Sequence, residues 1–388
     1  MTDAHRNESL EAADLSALSW CIGEIRESLA ACERELRACR QEGEGAAAGS
    51  PKLAAARSAL HQAHGALSIV DLAGVTTVTG EAETVLDRVA RGQLALDDAM
   101  LDALARSFAA ILEYLDELVL GEPQQPLYLF PYYESLLRLR EAERIHPADL
   151  FVVPVRAQLV VAHDAARTLG TAELNAARVA FERGLLSVLR DPLDSAGLAA
   201  LHASVATIGG SQIGAAHPTF WKVALAYFEA LRDGALSLDV YGKRLLARLN
   251  LQLRRSMADG ALVADRLLKD TLFALAGADE ARSAGSPLVA EVRRAFGLAG
   301  SVPCDFATPR FGRIDAKAVQ AAKEAIARAK LAWEKLCAGN AGELASFAQA
   351  IAALRSATAK LPFPGVQALA DAFGEASRVL ALGSPMPS

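Results

Sequence analysis

Aromatic residues are scarce, at 6% of the 388-residue chain. Val/Ile-rich runs that end in glycine loops are missing as well, and a parallel-sheet enzyme would need them. None of the five cysteines (21, 32, 39, 304 and 337) forms a C-x-x-C pair or has a histidine at ligand spacing. Zinc is therefore not expected, and neither is a disulfide framework; free thiols suit a reduced, cytoplasmic protein. The longest stretch without Asp, Glu, Lys or Arg, Ser195 to Trp221, is broken by Gly209-Gly210, two histidines, Gln212 and Pro218. It is not a membrane span, and the polar, acidic N-terminus is not a secretory signal. An excess of basic charge is also missing: 40 Lys+Arg against 46 Asp+Glu gives −6, which argues against nucleic acid.

Alanine and leucine dominate what is present, and both are strong helix formers. Leu15, Leu18, Ile22, Ile25, Leu29, Cys32, Leu36 and Cys39 alternate at three and four. That spacing marks one face of a long helix over about Asp14 to Glu42, with both cysteines as small core residues. Pro51 suits the first position of a second helix with Leu53, Leu60, Ala63, Leu67 and Val70 inward. A third helix is expected over about Val75 to Arg91. A fourth covers about Asp97 to Leu120, with Leu101, Leu104, Phe108, Leu112, Leu115 and Val119 inward. Four amphipathic helices with short loops make an antiparallel bundle, residues 1–121.

Residues 122–165 read as a connector rich in proline and aromatics, whose rings, Tyr132 and Tyr133 among them, seal a seam or offer a partner patch. A second helical domain covers 166–300, with Phe181, Leu185 and Leu189 on one stripe and Phe220, Val223, Ala224, Tyr227 and Leu231 on another. A linker follows, and then a third, incomplete module, 313–388, which stops where a fourth helix is expected. Each block runs from a long helix into an Ala-rich helix, a break and a further helix. The fold class is all-α, as tandem antiparallel bundles.

One pattern carries chemistry. Around LHQAHGALSIVDLAG, Arg57, His61, Gly65 and Ser68 share a helical face offset from the Leu60/Leu67 stripe. His61 should therefore project outward, with Gly65 one turn on leaving its ring uncrowded. A neutral imidazole so placed can attack an acyl phosphate on a docked partner. The other reading is a solvated helix residue in a scaffold-only bundle. His64 reads as half-buried. His202 aligns loosely with His61, but Ala206 stands at the glycine position. No histidine follows His217, so the third module cannot accept a phosphoryl group on histidine. Lys243, Arg244, Arg248, Arg254 and Arg255 form a basic run, a solvated face or a dock for an acidic partner. No Glu-x-x-His pair of the di-iron type occurs, so neither a metal nor a cofactor is expected.

His-x-x-x-Gly on the second helix of a bundle resembles the histidine phosphotransfer (Hpt) domain, with His64 where that family carries a lysine. DLSALSWCIGEIRESL, LHQAHGALSIVDLAGV, YLDELVLGEPQQPLYLFPYYESLL, HPADLF and AFERGLLSVLRD together resemble the N-terminal region of the CheA-like hybrid histidine kinases of type IV pilus systems (ChpA/PilL). The second block resembles the Hpt-like modules of the FimL scaffold family. The resemblance implies a twitching-motility phosphorelay module with His61 as phosphoryl acceptor and His64 and Gly65 beside it. The partners it implies are response-regulator receiver domains and pilus chemosensory scaffolds, in a cytoplasmic protein recruited to the cell pole. A FimL-like, non-catalytic scaffold is the alternative. The kinase core of that family is absent here, which leaves open whether the chain is an enzyme.

Overall fold

Ser50 opens the second helix by accepting a hydrogen bond from the Lys52 N–H at 3.2 Å, with Pro51 in the first turn. Asp97 opens the fourth in the same way, accepting from Met100 N–H at 2.8 Å. Such caps satisfy the orphan donors of a helix start and fix where it begins. The computed structural model describes residues 4–42, 49–153, 167–259, 262–283, 285–312, 316–359, 361 and 364–381. Among these, fifteen α-helices and a few 3₁₀ turns account for the regular structure, and no strand forms. The fold is all-α.

Two compact units form: Met1–Ile111 with Leu115–Pro309, and Leu112–Tyr114 with Arg310–Ser388. The first unit begins with α1 (Ala4–Gln41), α2 (Pro51–Ile69), α3 (Ala73–Ala90) and α4 (Asp98–Val119). Leu18, Ile25, Leu29, Cys32, Leu36 and Cys39 are buried along α1 as the periodicity predicts, and burial pushes the Cys32 thiol up to about 12. The side chain of Leu15 lies outside the described residues. Helix α1 packs on α2 and α2 on α3. Arg26–Asp116 (2.7 Å) and Arg40–Asp98 (3.4 Å) lay α4 antiparallel along α1. The inward face of α4 departs from expectation near its end: Val119 is exposed and Leu118 is buried. Ile111, Leu115 and Leu118 take the inner positions, since a straight 3.6-residue helix drifts against a strict seven-residue repeat.

The connector holds α5 (Phe130–Leu139) between 3₁₀ turns at Pro126–Leu129 and Pro147–Asp149. Tyr132 and Tyr133 are buried, so these rings seal a seam and do not form a surface patch. Residues 154–165 of the expected connector lie outside the described residues. Gly74 of α3 sits so close to Pro126 that a Cβ there would overlap the proline ring.

The same neighbour order then repeats with α6 (Thr171–Arg190), α7 (Ser195–Gly209), α8 (Pro218–Arg232) and α9 (Val240–Asp259). Helix α6 packs on α7, α7 on α8, and α9 returns to α6, where Arg254 pairs with Glu182 at 2.9 Å. On α6, Phe181, Leu185 and Val188 are buried, whereas Leu189, expected inward, is exposed for the same helical-drift reason. Shorter helices α10 (Asp265–Ala276), α11 (Glu280–Ser283) and α12 (Pro287–Ala295) follow, and α10 and α12 pack against α8.

The second unit carries α13 (Ala316–Cys337), α14 (Leu344–Thr358) and α15 (Pro364–Ala381), packed in chain order. Its core is made largely of alanine, with Ala325, Ala329, Ala332, Ala350, Ala357 and Ala370 buried around Phe347, Ile351 and Leu354. Residues 382–388, where the expected module breaks off, lie outside the described residues.

Helices α6 and α7 meet backbone to backbone. A Cβ on Gly184 would stand 2.9 Å from the Gly197 carbonyl oxygen, and one on Gly197 would stand 2.9 Å from Val188 Cγ2. Replacing Gly184 by valine should therefore cost about 1–3 kcal/mol through overpacking. Chemical denaturation checks this, with Gly65→Ala as the control: nothing lies near that Cβ, and alanine should gain about 0.5–1 kcal/mol.

Candidate functional site

The pattern read from sequence folds into a polar ladder between α2 and α3. Arg57 pairs with Asp87 at 2.5 Å, His61 Nδ1 lies 2.9 Å from Glu83 Oε1, and His64 Nδ1 lies 2.8 Å from Thr79 Oγ1. Antiparallel helices set this register, since each step of about one turn along α2 meets one turn back along α3. The His61 side chain is 79% exposed, as its outward face predicts, but its ring is tied to a carboxylate. His64 is half-buried, and its Nε2 lies 3.9 Å from the second Glu83 oxygen. Gly65 has open space around it, so packing does not require glycine there.

A shallow cleft of about 400 Å³ beside His61 is lined by Arg57, Glu83 and Asp87. Its lining brings two carboxylates against one cation, and Asp87 already neutralises that cation. His202, the loosely aligned counterpart, lies elsewhere, on α7. Burial, reinforced by Arg232 3.3 Å from its Nδ1, lowers its pKa. The basic run on α9 is partly committed as well: Arg248 binds Asp270 and Arg254 binds Glu182. Among the described residues, no group of three or more His, Cys, Asp or Glu side chains is placed to hold a metal ion, and no helix is long and apolar enough to cross a membrane.

The densest electrostatic cluster was not visible in the sequence. Asp270 of α10 is 2% exposed and receives charge-assisted bonds from Arg144 at 2.8 Å and from Arg248. Arg144 also reaches Asp149 at 3.3 Å. Four residues before Arg144, Arg140 binds Glu81 of α3. The chain of ion pairs thus runs from the first bundle through the connector into α9 and α10. His146 lies inside it. Its Nδ1 accepts the Ala148 N–H at 3.1 Å, so the neutral ring carries its proton on Nε2. Burial lowers its pKa to about 4, although Asp270 and Asp149 oppose this; Arg144 and Arg248 reinforce it. Beside the cluster a cavity of about 500 Å³ is lined by Thr77, Tyr133, Phe151, Arg266 and Lys269. Burial pushes the Tyr133 phenol up to about 12 and lowers the Lys269 ammonium.

Residues 168–308 match the family model of the FimL scaffold protein second domain. The chain is related to the FimL scaffold protein. The scaffold protein FimL of Pseudomonas aeruginosa is 24% identical over 246 residues, covering 62% of this chain and 43% of the relative. The match therefore spans less than half of that relative's length. No solved structure matches the chain. These matches overturn the phosphorelay reading, because they lead to a scaffold and not to a phosphotransfer module. The ladder around His61 agrees with that correction. The lysine of the histidine phosphotransfer pattern is replaced by His64, held by Thr79, and Arg57 is paired with Asp87.

Two outcomes follow from the buried cluster. Asp270→Asn leaves Arg144 and Arg248 without their shared counter-charge and should cost about 3–5 kcal/mol of unfolding free energy in urea titration. His146 binds a proton more readily in the unfolded chain than in the fold. Stability should therefore fall as pH drops from about 6.5 to about 4, by roughly 3 kcal/mol from this residue. His146→Asn keeps an acceptor for the Ala148 N–H but cannot titrate in this range, so it should flatten that part of the pH profile.

Proposed function

We propose that this chain is a non-catalytic scaffold that recruits pilus-regulation proteins through the outer faces of its helical bundles. The carrying observation is the match of residues 168–308 to the second domain of a scaffold protein. The surface of that segment supports the reading. On α6, Arg183, Leu186 and Arg190 share an outward face beside Leu189, and Leu193 follows; Leu186 is 59% and Leu193 87% exposed. Leucines held in water between two arginines fit an amphipathic partner helix that carries acidic residues, with burial supplying affinity and charge setting register.

Purified pilus-regulation proteins presented to the intact chain in biolayer interferometry test this. Leu186→Asp with Leu193→Asp should weaken binding at least about tenfold, as loss of central apolar contacts does. His61→Gln should bind within about twofold of the parent chain, since an exposed residue away from α6 contributes little. Loss of binding on His61→Gln, or undiminished binding by the α6 double variant, would reject the scaffold reading through this face.

A further inference from the structure

A cavity of about 210 Å³ opens between α8, the start of α9 and α10, separate from both the His61 ladder and the α6 face. Tyr227 of α8 lines it, and that side chain is 1% exposed with a hydroxyl that has no hydrogen-bond partner among the described residues. A fully buried phenol without a partner carries a desolvation cost of about 1–3 kcal/mol, which a bound polar group would relieve. Asp239 stands nearby, at the mouth. Its Oδ1 accepts the Gly242 N–H at 2.7 Å, capping α9.

Gly242 shapes the corner between the two. A Cβ there would lie 3.4 Å from the Tyr227 hydroxyl and 3.3 Å from Asp239 Oδ1. Leu238 Cδ1, 2.9 Å from the same point, walls the corner, so Gly242 lets its backbone lie against the phenol oxygen and the carboxylate together. The remaining wall is aromatic: His146 packs edge-on against Tyr241 at 4.8 Å and Phe273 at 5.8 Å, and Phe273 packs on Phe306 at 5.9 Å. No lysine or arginine lines the cavity, and the second carboxylate on its wall, Asp270, is already bound by Arg144 and Arg248.

We propose that this cavity binds a small organic primary amine, its ammonium held between the Tyr227 hydroxyl and the Asp239 carboxylate and its apolar body against Tyr241, Phe273 and Phe306. An ammonium donates to both oxygens, which an anion cannot do. The aromatic wall favours a cation over a neutral group through the ring quadrupoles. The neutral His146 adds no opposing charge at pH 7. The volume suits a molecule of about ten non-hydrogen atoms, well below the usual range for drug-sized ligands.

Three probes with one phenyl body and different heads separate the alternatives: 2-phenylethylamine, 2-phenylethanol and phenylacetate, titrated into the full chain by ligand-observed NMR at neutral pH. The amine should bind at least about tenfold tighter than the alcohol, and phenylacetate should not bind. Asp239→Asn, which keeps the acceptor for Gly242 N–H and removes the charge, should abolish the preference for the amine. Gly242→Ala, whose methyl group fills the corner, should abolish binding while thermal unfolding shows the chain still folded. Equal binding of amine and alcohol would reduce the cavity to an apolar pocket. No binding by any probe, or an amine preference that survives Asp239→Asn, would overturn the assignment.

Discussion

The Asp270 carboxylate, buried between Arg144 and Arg248, is the constraint on which the larger unit depends. A lone carboxylate at 2% exposure would carry a large desolvation cost, which the two guanidinium groups offset. Arg144 belongs to the connector, Arg248 to α9 and Asp270 to α10. Offsetting that cost therefore fixes three separate segments at one point. The Arg140–Glu81 pair continues the same logic into α3. The first bundle and the FimL-related domain are joined by paired charges as well as by apolar burial, and this makes their junction sensitive to acid through His146.

Within each unit, packing relies on small side chains. Gly184 and Gly197 bring α6 and α7 to backbone contact, Gly74 admits Pro126, and alanines fill the core of the unit that holds α13 to α15. Close approach maximises dispersion contacts when few large side chains are available. A chain with so few aromatics then spends them where shape matters, in the connector seam and around His146. The same economy leaves a cavity beside the Tyr227 phenol, which has no hydrogen-bond partner among the described residues.

Helix positions and neighbour order were legible in the sequence because capping and apolar periodicity are local. Ser50-Pro51, Asp97 and the Leu18-to-Cys39 stripe all act within a few residues of themselves. The ends of α4 and α6 were less legible. There the apolar face drifts by one position, exchanging Val119 for Leu118 and Leu189 for Val188. His61 was correctly placed on an outward face, but its partner Glu83 was missed. The Arg57–Asp87 pair held the signal, since an antiparallel register that joins those two also brings Glu83 to His61.

By itself the sequence determined an all-α chain, the bounds of most helices and the exposure of His61, because each follows from the 3.6-residue period and from chemistry at helix ends. Only the tertiary structure decided what the charges do. Arg144 and Asp270 are 126 residues apart, and no periodicity links them. The basic run on α9 reads as one patch along the chain, yet folding spends Arg248 on a buried carboxylate and Arg254 on a neighbouring helix. The partner of a charged group is whichever opposite charge the packing brings within reach, and that is a property of the assembled helices.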